Sequence, residues 1–129
     1  MSAATENCLV LVVEDDNDVR EMMGMLLGTF GYAMLGASTQ EAARDLFAAR
    51  VGSLRAIMLD GNVPQRGKEG STVELARWFR ERFSGLIVAI PASEDRLREL
   101  LEVITIGGPA VGLKKPFNLD GIRAAFQLS

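Results

Sequence analysis

Histidine is absent from this chain and cysteine occurs once, at Cys8. That inventory excludes disulfide frameworks, Cys/His zinc sites and Ser-His or Cys-His catalytic pairs, and leaves carboxylates as the available metal ligands. Proline is scarce, 4 residues against 13 glycines, and hydrophobic residues reach 48%, so neither a disordered nor a collagen-like chain fits. Positive charge is not in excess. Fourteen basic against 17 acidic side chains give a net charge of −3 and a pI near 5.0, poor equipment for neutralising phosphates, so no direct nucleic-acid binding is expected. The uncharged run from Met22 to Ala37 falls short of the ~20 residues that cross a bilayer and is broken by four glycines, so no membrane association is expected. Residues 1–7 carry no basic residue and no apolar segment; they read as an N-terminal tail rather than a signal peptide, and the expected location is cytoplasmic.

What is there fits one compact domain over residues 1–129, since a domain usually takes ~100–200 residues. Cys8 to Val13 is a continuous branched apolar run, the mark of a strand buried on both faces of a parallel sheet. After Glu14-Asp15-Asp16 the period changes, with Val19, Met22, Met23, Leu26, Leu27 and Phe30 at helical spacing and Asp18 and Glu21 placed to cap the start. Tyr32 to Ala37 predicts a second strand. Ser38 with Glu41 forms a capping box for a helix reaching about Arg50. Leu54 to Leu59 predicts a third strand ending at Asp60, followed by a polar, glycine-rich loop from Gly61 to Gly70. Ser71 with Glu74 caps a third helix with the stripe Leu75, Ala76, Phe79 and Phe83; Trp78 flanks that stripe at the core edge. Leu86 to Ile90 is the fourth strand, Leu97, Leu100, Leu101 and Ile104 mark the fourth helix, Ala110 to Leu113 the fifth strand, and Leu119, Ile122 and Phe126 a last helix. Five alternating βα units imply an α/β fold, a parallel sheet doubly wound by helices, with its functional site at the carboxyl ends of the strands.

Those ends carry Glu14-Asp15-Asp16, Asp60, Pro91-Ala92-Ser93 and Lys114-Lys115-Pro116. Taken singly, the three acids read as helix capping, Asp60 as a turn residue and Lys115 as a solvated charge. Taken together they converge on one edge of the sheet. Clustered carboxylates repel unless they take up protons or a divalent cation, and oxygen-only ligation favours Mg²⁺ with a phosphate.

The segments LVLVVEDD (9–16), MLDGNVP (58–64) and LKKPF (113–117), in this order across the whole chain, resemble the receiver domain of two-component response regulators. The resemblance implies a flavodoxin-like (βα)5 fold with strand order 2-1-3-4-5. It implies that Glu14 and Asp15 hold Mg²⁺ together with Asp60 and the backbone carbonyl of Asn62. It also implies that Asp60 accepts a phosphoryl group from a histidine kinase or phosphotransfer protein and that Lys115 contacts the phosphoryl oxygens. Asp16 is expected to be structural. Such a domain assists its own phosphorylation and dephosphorylation and is not otherwise an enzyme; its output passes through a protein partner that the residues do not name.

The pattern departs from that family at two positions. Pro91 stands where a Thr or Ser hydroxyl is usual, and proline offers neither a hydroxyl nor an N–H. Gly112 stands where Tyr or Phe is usual. Ser93 is expected to cap the following helix, coupling from Asp60 to the Leu97–Phe126 face is expected to be weak, and the charged 65–70 segment is an insertion. These departures keep an alternative open, a pseudo-receiver acting as a phosphorylation-independent interaction module. A flavin binder is disfavoured by three acids where a phosphate loop belongs, and a haloacid-type phosphatase by Asn62 where it needs a second aspartate.

Overall fold

The computed structural model describes residues 8–113 and 118–127. Its strands are β1 (Leu9–Val13), β2 (Ala33–Ala37), β3 (Leu54–Leu59), β4 (Leu86–Ala89) and β5 (Ala110–Gly112). Between and after them lie α1 (Asn17–Thr29), α2 (Gln40–Arg50), α3 (Val73–Arg82), α4 (Glu94–Ile104) and α5 (Leu119–Phe126). The sheet is entirely parallel and its order is β2-β1-β3-β4-β5, as the resemblance implied.

The alternation of side chains along each strand explains why the runs are apolar throughout. Val10 and Val12 of β1, with Met58 of β3 and Val88 of β4, pack against Met23 and Leu27 of α1 and Ile122 and Ala125 of α5. Leu11, Val13, Ile57, Leu59 and Ile87 face the other way, onto Ala43 and Phe47 of α2, Leu75, Ala76 and Phe79 of α3, and Leu100 and Ile104 of α4. Both faces of the central strands are therefore core, and each large side chain buried there contributes roughly 1.5–3 kcal/mol. Trp78 is half-buried at the rim of this second layer, meeting Phe47 and Phe79 edge to face, with the Arg82 guanidinium 4.3 Å from its ring centroid. The core-edge expectation for this residue holds.

Three helix starts differ from the capping expected of the sequence. Asp16, not Asp18 with Glu21, caps α1, its side chain accepting from the backbone N–H groups of Asp18 and Val19. Thr39, not Ser38, caps α2, accepting from Ala42 N at 3.0 Å. At α3 the cap position is Thr72, whose side chain makes no capping bond, while Ser71 Oγ accepts from Val73 N in the preceding turn. In each case adjacent residues of equal capping chemistry compete, and the point where the preceding segment leaves the sheet selects one. Ser93 caps α4 as expected, accepting from Arg96 N at 3.2 Å.

The 61–70 segment is more ordered than a polar loop need be. Gln65 and Lys68 bridge each other across a turn in which Arg66 and Gly67 both take positive φ, 54° and 77°, the geometry of a tight hairpin turn. Asn62 pairs with Ser71 at its base. The buried Gln40 side chain donates to the carbonyls of Val63 and Ser71, each at 3.0 Å, and Glu41 accepts from Arg66 N at 2.6 Å. The insertion is thus strapped to the start of α2.

At the amino-terminal edge, buried Arg80 of α3 donates to the carbonyls of Ile104, Phe83, Gly85 and Pro109 over 2.7–2.9 Å. Desolvation lowers its pKa, and these carbonyls supply the compensation a buried guanidinium requires.

Candidate functional site

The sheet register continues one residue beyond each strand, and this builds the site. Glu14 N donates to Ala37 O at 3.0 Å, Asp60 N to Val13 O at 3.0 Å, Ile90 N to Leu59 O at 2.9 Å and Leu113 N to Ala89 O at 2.8 Å. The residues that follow β1 and β3 are thereby held side by side by backbone bonds before their side chains interact.

Glu14, Asp15 and Asp60 each bring one carboxylate oxygen within 4.8 Å of the other two. Glu14 is 1% exposed and Asp60 8%, so two of the three acids are withdrawn from water. Glu14 Oε2 accepts from Asp16 N at 3.2 Å, and Asp60 Oδ1 accepts from Gly61 N at 2.8 Å. Backbone bonds of this kind orient the carboxylates without supplying a full positive charge. Three oxygen donors at this spacing could hold a hard divalent cation.

Asp60 is braced from α3. Thr72 Oγ1 donates to Asp60 O at 2.6 Å, and Thr72 N donates to Gly61 O at 3.1 Å. The hydroxyl is thus spent on fixing the backbone of the aspartate instead of capping its own helix. Nothing in the sequence singles out Thr72 for this role over Ser71, because the choice depends on where α3 lands relative to β3.

Asn62 is exposed beside the cluster, and its side-chain Oδ1 accepts from Arg96 Nη2 at 3.3 Å. Lys115, the remaining sequence candidate, lies outside the described residues. Pro91 is buried against the same loop: a Cβ on Gly61 would fall 2.9 Å from Pro91 Cβ and 2.5 Å from Arg96 Cγ. Only glycine lets these two residues approach the acceptor backbone so closely. On β5, Gly112 is covered by α4, and a Cβ there would fall 2.6 Å from Leu97 Cδ1. A leucine from the neighbouring helix occupies space that an aromatic side chain on β5 would require. Arg96 and Gly61 carried no signal in the sequence, since their importance arises only from the approach of α4 to the loop after β3.

No family model and no curated protein matches the chain. Solved structures do match. A response regulator receiver domain (CheY-like) from Methylobacillus flagellatus superposes with a TM-score of 0.74 at 21% identity, over 94% of this chain and 97% of that one. The BeF3-activated N-terminal receiver domain of Klebsiella pneumoniae RstA gives a TM-score of 0.75 at 22% identity, over 93% and 96%. A response regulator protein from Burkholderia pseudomallei with a phosphorylated aspartic acid, calcium ion and citrate gives 0.76 at 21%, over 94% of this chain and 67% of that one. With its strand order, its layering and this likeness along nearly its whole length, the chain has the fold of a response-regulator receiver domain.

Proposed function

We propose that this protein is a phosphoryl-accepting receiver of a two-component phosphorelay, with Asp60 as the acceptor. The observation that carries the reading is the convergence of Glu14, Asp15 and Asp60 at the carboxyl edge of the sheet. A carboxylate oxygen of Asp60 forms a bond to phosphorus as the N–P bond of a phosphohistidine on a histidine kinase or phosphotransfer protein breaks, and the departing imidazole takes up a proton. Glu14, Asp15 and Asp60, with the Asn62 carbonyl, would hold Mg²⁺, and the ion would offset the charge of the acids and of the incoming phosphoryl group. The hydrogen bonds from Gly61 N to Asp60 Oδ1 and from the Thr72 hydroxyl to the Asp60 carbonyl keep the carboxylate in place and limit its reorientation during transfer. Lys115 contacts the phosphoryl oxygens, as the resemblance implies. The domain assists its own phosphorylation and dephosphorylation, works in the cytoplasm and passes its signal to a protein partner. No helix is long and apolar enough to cross a membrane among the described residues.

The test is intact-mass spectrometry after incubation with Mg²⁺ and a small acyl phosphate. One phosphoryl group should be added, and it should be absent in Asp60→Asn and after chelation of the metal. Pro91, and Leu97 over Gly112, favour the second reading, an interaction module independent of phosphorylation. Unchanged mass in the parent protein would establish that second reading over the first.

A further inference from the structure

Arg96 lies in the first turn of α4, and its side chain leans onto the loop that follows Asp60. Its stem is packed against Gly61, and the Gly61 N–H is the group that donates to Asp60 Oδ1 at 2.8 Å. The guanidinium therefore hangs beside the peptide that holds the acceptor carboxylate. Its Nη2 donates to Asn62 Oδ1 at 3.3 Å and its Nη1 to Glu99 Oε1 at 2.8 Å, while Nε is buried and has no hydrogen-bond partner. A buried guanidinium N–H without an acceptor is uncommon in a native fold and calls for an explanation. On the same flank Pro91 has no N–H or hydroxyl to donate, and Ser93 Oγ is oriented towards the first turn of α4, where it accepts from Arg96 N at 3.2 Å.

We propose that Arg96 is the contact residue for a tetrahedral oxyanion on Asp60, donating through Nε and Nη2 to its oxygens and giving up Asn62 for them while Nη1 keeps Glu99. The inference rests on the reading of Asp60 as the phosphoryl acceptor. The planar fork of arginine matches a phosphoryl group in a bidentate arrangement. The partner given up yields readily, since the Asn62 bond is at the long end of the range. Because Arg96 belongs to the first turn of α4, the exchange pulls on that turn. Leu97, the next residue, lies over Gly112, and with no side chain on β5 there to be displaced, little of the movement is expected to reach β5.

The experiment uses the full chain, ¹⁵N-labelled, with Mg²⁺ and beryllium fluoride. The Arg96 Nε–H resonance, assigned by its loss in Arg96→Lys, should shift and become protected from solvent exchange, with amide shifts at Asn62 and 93–97 and little change at Ala110–Gly112. Arg96→Lys and Arg96→Gln should each bind beryllium fluoride about 10-fold or more weakly, as expected for loss of a charged hydrogen bond. An unmoved Nε–H resonance, or variant affinities equal to the parent's while acyl phosphate still labels Asp60, overturns this inference alone. Failure of the parent protein to be labelled overturns the acceptor reading and this inference with it. The Nε–H readout is made on the parent, so the test stands even if a variant folds poorly.

Discussion

The carboxyl ends of β1 and β3 and those of β4 and β5 belong to one sheet edge, yet they are built on opposite principles. At β1 and β3, buried carboxylates are aligned by strand register and braced by backbone and hydroxyl donors from Gly61 and Thr72. Among the described residues at the ends of β4 and β5, Pro91 and Gly112 carry no side-chain donor, and the space is filled from α4 by Arg96 and Leu97. One half concentrates chemistry in the strands. On the other side a helix fills the space above the strands. Three carboxylates are thus gathered where the backbone itself enforces proximity, whereas the contacts on the other side depend on a helix whose position is set by packing.

The comparison can be broken most strongly on its acidic side. Asp15→Ala should weaken Mg²⁺ binding by about 10–100-fold, because the remaining carboxylates cannot complete the donor set. Titration followed by the amide resonances of Glu14 to Asp16 checks this, and unchanged affinity would remove Asp15 from the site. Gly61→Ala attacks the seam between the halves. Its Cβ would meet the rigid Pro91 ring and the Arg96 stem, so a loss of about 1–3 kcal/mol of stability is expected in urea unfolding. Ser93→Ala sharpens the assignment of roles on the β4 side. It should cost about 1 kcal/mol through the lost cap of α4 and leave labelling of Asp60 unchanged. A slower or shorter-lived label would transfer the phosphoryl contact from Arg96 to this hydroxyl.

The smallest effect concerns the hairpin on the acidic side. Backbone hydrogen bonds, first to its own N–H and then to that of Arg66, hold the exposed Glu41 carboxyl below its ordinary pKa. A depressed folded value means that the stabilisation is present above the ordinary carboxylate range and is lost as the pH falls through the folded value. Hydrogen exchange at the Arg66 amide should therefore lose protection on acidification, and Glu41→Gln should flatten that dependence. Equal pH dependence in the two proteins would detach the hairpin from α2.

The apolar runs and helical stripes were legible because burial on two faces demands an unbroken branched strand and burial on one face a 3.6-residue stripe. Every strand and helix they predict is present, with ends differing by about a residue where the pairing stops. The clustering of Glu14, Asp15 and Asp60 was legible too, since strands that run parallel bring their last residues to a common edge. Caps were not legible at Asp16, Thr39 and Thr72, because neighbouring side chains of similar chemistry differ only in where the chain leaves the sheet.

By itself, then, the sequence determined the layered βα alternation, the acidic edge and the two positions without a donor, all of which follow from local periodicity and residue chemistry. The tertiary structure alone decided that Thr72 braces Asp60, that Gly61 admits Pro91 and Arg96, and that Leu97 covers Gly112. Those contacts join residues far apart in the chain, and their distances are set by how helices settle on a twisted sheet rather than by any pattern along the sequence.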